Sequence, residues 1–135
     1  MDMYHGTNSV AASAIAKKVE VNLGGGELGQ GFYAGESIAL AAAWSQGRFN
    51  KDAKVVKVEL PDSDFVKLRI KQVGHFGYLR QLWRKLKTTH ATKTFKFGAD
   101  VVVAPFATLS FSYQYKFESP NAETVLNSSA TRTVL

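Results

Sequence analysis

The most informative stretch of the chain reads Leu23-Gly24-Gly25-Gly26-Glu27-Leu28-Gly29-Gln30-Gly31-Phe32-Tyr33-Ala34, a glycine-rich loop that runs directly into a short β-like segment. A P-loop is excluded because no Gly-Lys-Ser/Thr follows the glycines. A dinucleotide-binding turn is excluded as well. In such a turn the glycines lead into a helix, whereas here they lead into a β-like segment. On composition alone, the glycines are typical of a flexible surface loop.

Around this stretch, the hydrophobic pattern indicates a mixture of helices and strands. Asn8 and Ser37 stand where they can cap helices. Strict alternation of apolar or aromatic residues with polar residues from Leu109 to Phe117 predicts a strand. The expected strands are 3–5, 32–34, 54–60, 100–104, 109–117 and 123–126, the expected helices are 10–18, 38–44 and 75–87, and 19–21 is a weak strand or connector. We therefore expect a single α+β domain over residues 1–135.

The positive charge of the chain is concentrated in one segment. The net charge is +6, from 17 Lys and Arg against 11 Asp and Glu. Nine basic residues and no acidic residue lie between residues 65 and 99, so the remaining eight basic and eleven acidic residues give −3. Residues 67–96 are therefore either the solvated face of an amphipathic helix or a surface for the phosphates of RNA or DNA, with Tyr78 and Trp83 to stack on bases. The same surface suits an acidic protein.

The residue types exclude several kinds of site. The chain has no cysteine, so disulfide scaffolds, cysteine-ligated zinc and thiol nucleophiles are ruled out. His5, His75 and His90 lack the spacing of metal ligands, so we expect no metal. No segment approaches the roughly 20 apolar residues of a membrane span, and the N-terminus carries no signal pattern. We expect a cytoplasmic protein without membrane contact, with delivery into another cell only by a signal-independent route.

Three short motifs follow one another in an order that resembles an enzyme family. They are Tyr4-His5-Gly6-Thr7, then Gly29-Gln30-Gly31-Phe32-Tyr33-Ala34, and finally Asn121-Ala122-Glu123-Thr124-Val125-Leu126-Asn127. The order resembles the His–Tyr–Glu branch of the ADP-ribosyltransferases, which includes the poly(ADP-ribose) polymerases and diphtheria toxin. The resemblance implies a split antiparallel β-sandwich with flanking helices. The short chain looks like a bare catalytic core of the kind found in bacterial or phage toxins and effectors.

The resemblance also implies roles for individual residues. The implied catalytic residues are Glu123, His5 and Tyr33, and the implied NAD-binding residues are His5, Gly6, Thr7, Tyr33 and Trp44. His5 would hydrogen-bond a hydroxyl of the adenosine ribose, and the backbone of Gly6 would hold the nicotinamide carboxamide. Tyr33 and Trp44 would hold the nicotinamide ring between them. Glu123 would bind the nicotinamide ribose and stabilise the oxocarbenium-like charge on it.

The expected activity is mono-ADP-ribosyl transfer. NAD would be the co-substrate, nicotinamide would be released, and ADP-ribose would pass to a macromolecular acceptor such as RNA or DNA held by residues 67–96. A toxin of this kind would have an antitoxin or immunity protein as a partner. Ala41 stands where the polymerases usually place a carboxamide-binding serine, so that contact to NAD is missing or comes from elsewhere. Two alternatives stay open: a NAD glycohydrolase that uses water, and a non-enzymatic basic module that binds nucleic acid.

Overall fold

The structure, a computed structural model, describes residues 1–74, 94–106 and 112–135. The predicted helix at 75–87 and the first part of the predicted strand at 109–117 lie outside these residues. The described chain contains nine strands and four helices, which confirms the α+β class.

The elements have the following bounds. The strands are β1 (Asp2–Asn8), β2 (Gly25–Gly26), β3 (Gly29–Gln30), β4 (Phe32–Gly35), β5 (Ala53–Glu59), β6 (Ile70–Gln72), β7 (Val101–Pro105), β8 (Tyr113–Phe117) and β9 (Thr131–Val134). The helices are α1 (Ser9–Lys17), α2 (Ile38–Phe49), α3 (Asp62–Phe65) and α4 (Pro120–Ser128), and a short 3-10 turn spans Asn50–Asp52.

Seven of the described strands form one mixed sheet in the order β6-β7-β8-β4-β1-β5-β9, and β2 and β3 form a separate hairpin. β6 and β7 are parallel, and the other neighbouring strands are antiparallel. β1 pairs with β5 along its whole length. Its pairing with β4 is limited to Tyr4 and Gly35. The strands β1 and β4 therefore diverge after one contact, and two half-sheets meet there.

Both faces of the sheet bury apolar side chains. The larger core includes residues from α1, α4 and the sheet, among them Ala12, Phe32, Val56, Phe117 and Leu126. A smaller core contains Leu28, Val73, Val102 and Ala104, with Tyr33, Phe95 and Phe97 packed against it. The glycine-rich stretch, through Leu28, thus belongs to a packed layer over the sheet rather than to an open surface coil.

The predicted helix caps are confirmed. The Asn8 side chain accepts a hydrogen bond from the Ala11 backbone N–H at 2.8 Å, and the Ser37 hydroxyl accepts one from the Leu40 N–H at 3.2 Å. Each cap satisfies a backbone donor that the first turn of a helix leaves without a partner. Helix α2 continues beyond its predicted end and stops at Asn50, whose φ of 54° breaks the helical path.

The predicted strand at 123–126 is wrong, because this segment belongs to helix α4. The Ser119 hydroxyl accepts a hydrogen bond from the Ala122 N–H at 2.9 Å, and Pro120 stands in the first turn. Ala122 and Leu126, one turn apart, are both buried in the larger core. Capping and helical spacing therefore outweigh the local β-propensity. The last strand lies further on, in β9, and residues 19–21 form a connector without strand pairing.

Candidate functional site

Two of the predicted site residues meet where β1 and β4 diverge. His5 Nδ1 lies 2.5 Å from the backbone oxygen of Tyr33, and the His5 ring stacks on Phe32 with centroids 4.8 Å apart. Burial lowers the pKa of His5, so the imidazole is neutral at pH 7. Because a carbonyl oxygen only accepts, Nδ1 carries the proton and Nε2 keeps its lone pair. His5 can therefore accept a hydrogen bond from a ligand hydroxyl.

Gly6 and Thr7 follow His5 on the same strand, and Thr7 is buried. A Cβ on Gly6 would collide with the carbonyl oxygen of Ala41 in helix α2. The glycine is required here because the helix backbone approaches the strand closely. The predicted contact of Gly6 with a carboxamide stays a prediction.

Tyr33 ties the glycine-rich loop to the sheet. Its hydroxyl accepts a hydrogen bond from the Leu28 N–H at 3.0 Å and donates one to the Gly29 carbonyl at 2.5 Å. Gly26 lies over the ring, since a Cβ there would be 2.9 Å from Tyr33 Cζ. Burial, helped by the charges of two nearby carboxylates, raises the pKa of Tyr33 far above its usual value. Tyr33 is therefore a neutral phenol that fixes the loop.

The far side of the same loop contacts the segment that enters β7. The Gln30 N–H donates to the Phe95 carbonyl at 2.8 Å, and Lys96 Nζ donates to the Asn22 side chain at 2.8 Å. Gly29 has a φ of 94° and also lies against the Phe95 carbonyl, so a side chain there is excluded by both backbone conformation and space. The loop is thus held between Tyr33 and residues 95–96.

Trp44 does not join Tyr33 in the structure. Its side chain is 55% exposed, and its ring packs edge-on against Phe49 at 6.0 Å. The Arg48 guanidinium lies 5.5 Å from the Trp44 ring centroid. These partners lie on helix α2 itself, so the predicted pair of rings around a nicotinamide is not formed in this conformation.

Glu123 holds the connector that leads into the glycine-rich loop. Its carboxylate accepts a hydrogen bond from the Val21 N–H at 3.0 Å. One turn further along α4, the Asn127 side chain accepts from the Val19 N–H at 2.7 Å and donates to the Val19 carbonyl at 2.9 Å. The prediction of a glutamate at the head of a strand is therefore corrected: Glu123 is a helical residue whose carboxylate bonds to the connector rather than to His5 or Tyr33.

The sequence interpretation gave no role to the polar residues of β8, which lies beside β4. Lys116 stands opposite Tyr33 in register, and its ammonium lies 2.6 Å from the Glu118 carboxylate, with both side chains at most 1% exposed. Glu118 also accepts hydrogen bonds from the Phe97 and Gly98 N–H groups, at 3.1 and 2.8 Å. Burial lowers the pKa of Lys116. Through the Glu118 carboxylate, this ion pair holds the backbone of residues 97–98 next to the end of β8.

Gln114 is the second polar residue of β8 on this face. It stands opposite Gly35 in register and is 2% exposed. Its amide nitrogen donates a hydrogen bond to the carboxylate of Glu27, at the tip of the β2–β3 hairpin. The period-two alternation of β8 was the available signal for this residue. It identified the polar face without showing what that face touches.

Two grooves lie among the described residues at places away from the linings expected of the predicted site, since neither His5 nor Tyr33 lines them. One, of about 510 Å³, runs along α1 from Ser9 to Lys17, and the other, of about 240 Å³, lies between α2 and β5. Among these same residues, no three His, Asp or Glu side chains are grouped to hold a metal ion. None of the described helices combines the length and the hydropathy needed to cross a membrane. Comparison of the sequence with models of protein families gives no match, and comparison with curated proteins gives no significant match.

Proposed function

We propose that the protein cleaves NAD between nicotinamide and ribose and transfers ADP-ribose to a macromolecular acceptor. The observation that carries the proposal is the contact of His5 with Tyr33 at the divergence of β1 and β4. His5 and Tyr33, which belong to the two stretches that resemble motifs of the ADP-ribosyltransferases, are in contact there, 28 positions apart in the chain. A ligand bound at this point contacts both motifs at once.

The finer fold proposed is the split β-sandwich of that family. It is supported by the single pairing between β1 and β4, which divides the sheet into β6-β7-β8-β4 and β1-β5-β9. Helices α1 and α2 follow β1 and β4, the strands that carry His5 and Tyr33. Antiparallel strands that separate leave backbone groups and side chains between them for a ligand.

The residues fit NAD in part. His5 Nε2 is suited to accept a hydrogen bond from a ribose hydroxyl, and Tyr33 offers an aromatic surface for a nicotinamide ring. Gly26 lies on that ring, so the hairpin has to shift before a nicotinamide can stack there. The positions of Trp44 and Glu123 do not support the roles that the resemblance implied for them.

The proposed reaction is a substitution at the ribose C1′ carbon. The bond from C1′ to the nicotinamide nitrogen breaks, and its electron pair leaves with nicotinamide. A nucleophilic atom of the acceptor forms the new bond to C1′ and releases its proton to solvent. The protein contributes by positioning both substrates and by stabilising the positive charge that develops on the ribose.

A nucleic acid is the proposed acceptor. Of the basic segment 67–96, the structure describes Lys67, Arg69, Lys71 and Lys96, all four of them exposed. Arg69 and Lys71 lie at β6, the end strand of the sheet on the same half as β4. Exposed cations along such an edge suit a phosphate backbone, and binding should weaken steeply with salt. An acidic inhibitor protein, as expected for a toxin, would compete for the same surface.

The test is to incubate the protein with NAD labelled in its adenylate half and with separated protein, RNA and DNA fractions of a cell lysate. We expect nicotinamide release and label in a nucleic-acid fraction. His5→Ala should lower turnover about tenfold, the effect of losing roughly 1.4 kcal/mol of hydrogen bonding. Val10→Ala, at an exposed position of α1, is the matched control.

Three results would count against the proposal. Absence of both nicotinamide and label for the wild-type protein refutes NAD cleavage. Free ADP-ribose as the sole product, whatever macromolecule is supplied, supports the glycohydrolase instead. Salt-sensitive RNA or DNA binding, with no NAD turnover and no thermal shift by NAD, supports the non-enzymatic binding module.

A further inference from the structure

The outward face of helix α2 is apolar. Residues 37–47 are all uncharged, and the Trp44 side chain on this face is 55% exposed. The exposed residues of this stretch are Ile38, Ala39, Ala43, Trp44, Gln46 and Gly47. A surface helix normally covers its solvent side with charged and polar residues. An exposed apolar face of this kind is typical of an interaction surface.

Gly47 on this face is not required by the described part of the fold. Its φ is not positive, and a Cβ at this position would have no atom of the described residues within 4 Å. Glycine inside a helix costs about 1 kcal/mol relative to alanine. The fold alone would therefore be more stable with a side chain here. The glycine keeps the helix surface open to a group that approaches from outside the described residues.

The residues of this face have a symmetric order along the chain. They lie in three pairs, each spaced equally about the point between positions 43 and 44: Glu36 with Lys51, Leu40 with Gly47, and Ala43 with Trp44. Each pair combines an acidic with a basic residue, or a large side chain with a small one. The four inner positions are three and four residues apart, so they share one side of the helix.

This order makes the face complementary to a second copy of itself. A two-fold axis between positions 43 and 44 lays two α2 helices antiparallel to each other. Leu40 then lies against the partner's Gly47, and Trp44 lies against the partner's Ala43. A large side chain meets a small one in both contacts, as close packing of two helices requires. The antiparallel direction also places opposite ends of the two helix dipoles side by side.

The charges at the ends of α2 favour the same arrangement. Glu36 is exposed just before the helix, and its carboxylate is held there by the Tyr113 N–H at 3.0 Å. Lys51 is exposed in the 3-10 turn after the helix, and Arg48 lies in the last helical turn. The acidic residue next to Lys51, Asp52, accepts a hydrogen bond from the start of α1. Antiparallel helices bring the acidic end of each copy to the basic end of the other, whereas parallel helices would bring like charges together.

We infer that the outward face of α2 is a dimer interface, at which two copies of this chain pack antiparallel about an axis between positions 43 and 44. The inference does not depend on the proposed function, and it places Trp44 in an interface between protomers. Helix α2 has 12 residues and is therefore about 18 Å long. An interface of this length is small for a specific complex, so we expect a reversible dimer with a dissociation constant of about 10 μM.

The first test is sedimentation equilibrium of the whole chain at concentrations of about 1–300 μM, over which the wild type should change from monomer to dimer. Gly47→Leu fills the space that receives Leu40 of the partner and should weaken dimerisation about tenfold or more. Its monomer should unfold at the same temperature as the wild type or a higher one, because leucine is the better helix former. Ser13→Leu, at an exposed position of α1, is the matched control and should leave the dissociation constant unchanged.

Charge reversal tests the antiparallel arrangement. Glu36→Lys alone puts like charges at both ends of the dimer, and so does Lys51→Glu alone. Each variant by itself should dimerise about fivefold more weakly than the wild type. An equimolar mixture of the two variants restores opposite charges at both ends and should form a heterodimer about as tightly as the wild type forms its dimer. A role of these residues within one chain would not produce recovery on mixing.

Three results would overturn the inference. One is a wild type that stays monomeric over the whole range, including the case in which it binds anionic lipid vesicles through Trp44 instead. Another is a dimer that Gly47→Leu does not weaken, and the third is a mixture of the charge variants that associates no better than either alone.

A cross-link provides the test if Glu36→Lys does not fold. The chain has no cysteine of its own, so Ala43→Cys introduces a single thiol beside the proposed axis. Mild oxidation should link this variant into a covalent dimer, because a disulfide needs Cα atoms within about 7 Å. Ser13→Cys on α1 should stay monomeric under the same conditions. An Ala43→Cys variant that links no more than Ser13→Cys does would overturn the inference.

Discussion

Asn127→Ala is expected to destabilise the protein by about 2–4 kcal/mol. The Asn127 amide makes two hydrogen bonds to the Val19 backbone, at 2.7 and 2.9 Å, and Val19 is fully buried. Each bond contributes about 1 kcal/mol net, and a buried backbone group left without a partner costs about 1–3 kcal/mol. Water reaching the partly buried end of the amide offsets some of that cost, which gives the stated range.

Glu123→Ala removes the neighbouring bond, from the Val21 N–H to the carboxylate. Because this carboxylate is partly exposed, we expect a smaller loss, about 1–2 kcal/mol. The two side chains lie one helical turn apart and hold the same connector, so their effects should not add. The double variant should lose about 0.5–1 kcal/mol less than the sum of the single variants.

The assay is equilibrium unfolding in urea, with the slope m required to stay constant so that midpoints report stability. Glu123→Gln is the matched control, because an amide oxygen still accepts from the Val21 N–H. It should cost less than about 1 kcal/mol and should leave nicotinamide release intact. If Glu123→Gln abolished that release while unfolding stayed unchanged, Glu123 would be catalytic and our account of it would be wrong. A loss below about 0.5 kcal/mol for Asn127→Ala would refute the anchoring role itself.

Three further substitutions test other parts of the fold. Arg132→Lys should lower the free energy of unfolding in urea by about 1–3 kcal/mol. The Arg132 guanidinium donates hydrogen bonds to carbonyls at the C-terminal ends of α1 and α4, and an ammonium cannot reproduce this forked geometry. Wild-type stability of the variant would contradict this account. Lys116→Met should cost about 3–5 kcal/mol by leaving Glu118 buried and unpaired, and Lys116→Met/Glu118→Gln should regain most of that loss; equal losses for the single and double variants would contradict it. Burial opposes the ionisation of Asp100, but hydrogen bonds outweigh it and hold its pKa below the ordinary 3.8. The stabilisation from Asp100 is therefore present above that value and lost as the pH falls through the lower pKa of the folded state. Asp100→Asn should be less stable than the wild type at pH 7 and approach it below pH 3.8 in thermal unfolding scans, and a constant difference down to pH 2.5 would count against this account.

Elements with a local chemical signal were predictable from the sequence. Helices α1 and α2 have a capping side chain directly before them, and β4 and β5 have alternating or apolar runs. Helix α4 had an equally local signal, Ser119 followed by Pro120. The prediction of a strand at 123–126 followed the local β-propensity instead, and it is wrong. A serine cap followed by proline indicates the start of a helix more directly than a few β-prone residues indicate a strand.

The candidate site was predictable only where its residues lie in motifs. His5 and Tyr33 were identified from short sequences, and the structure joins them. The bond between Gln114 and Glu27 was not predictable, because 87 positions separate the two residues. Their contact depends on the register of β8 against β4 and on the fold of the hairpin over that face. Both are properties of tertiary packing rather than of local sequence.

The polar face of β8 is difficult to explain by stability alone. Gln114 and Lys116 lie on a central strand, with Glu118 directly after it, and all three are buried. Taking such groups out of water is costly, and apolar residues of similar volume often stabilise a core equally well or better. The Lys116–Glu118 pair has a structural use, since it fixes the segment that lies against the glycine-rich loop. Gln114 serves the loop directly through Glu27. The polar residues of β8 therefore hold two neighbouring parts of the structure, the hairpin over Tyr33 and residues 97–98.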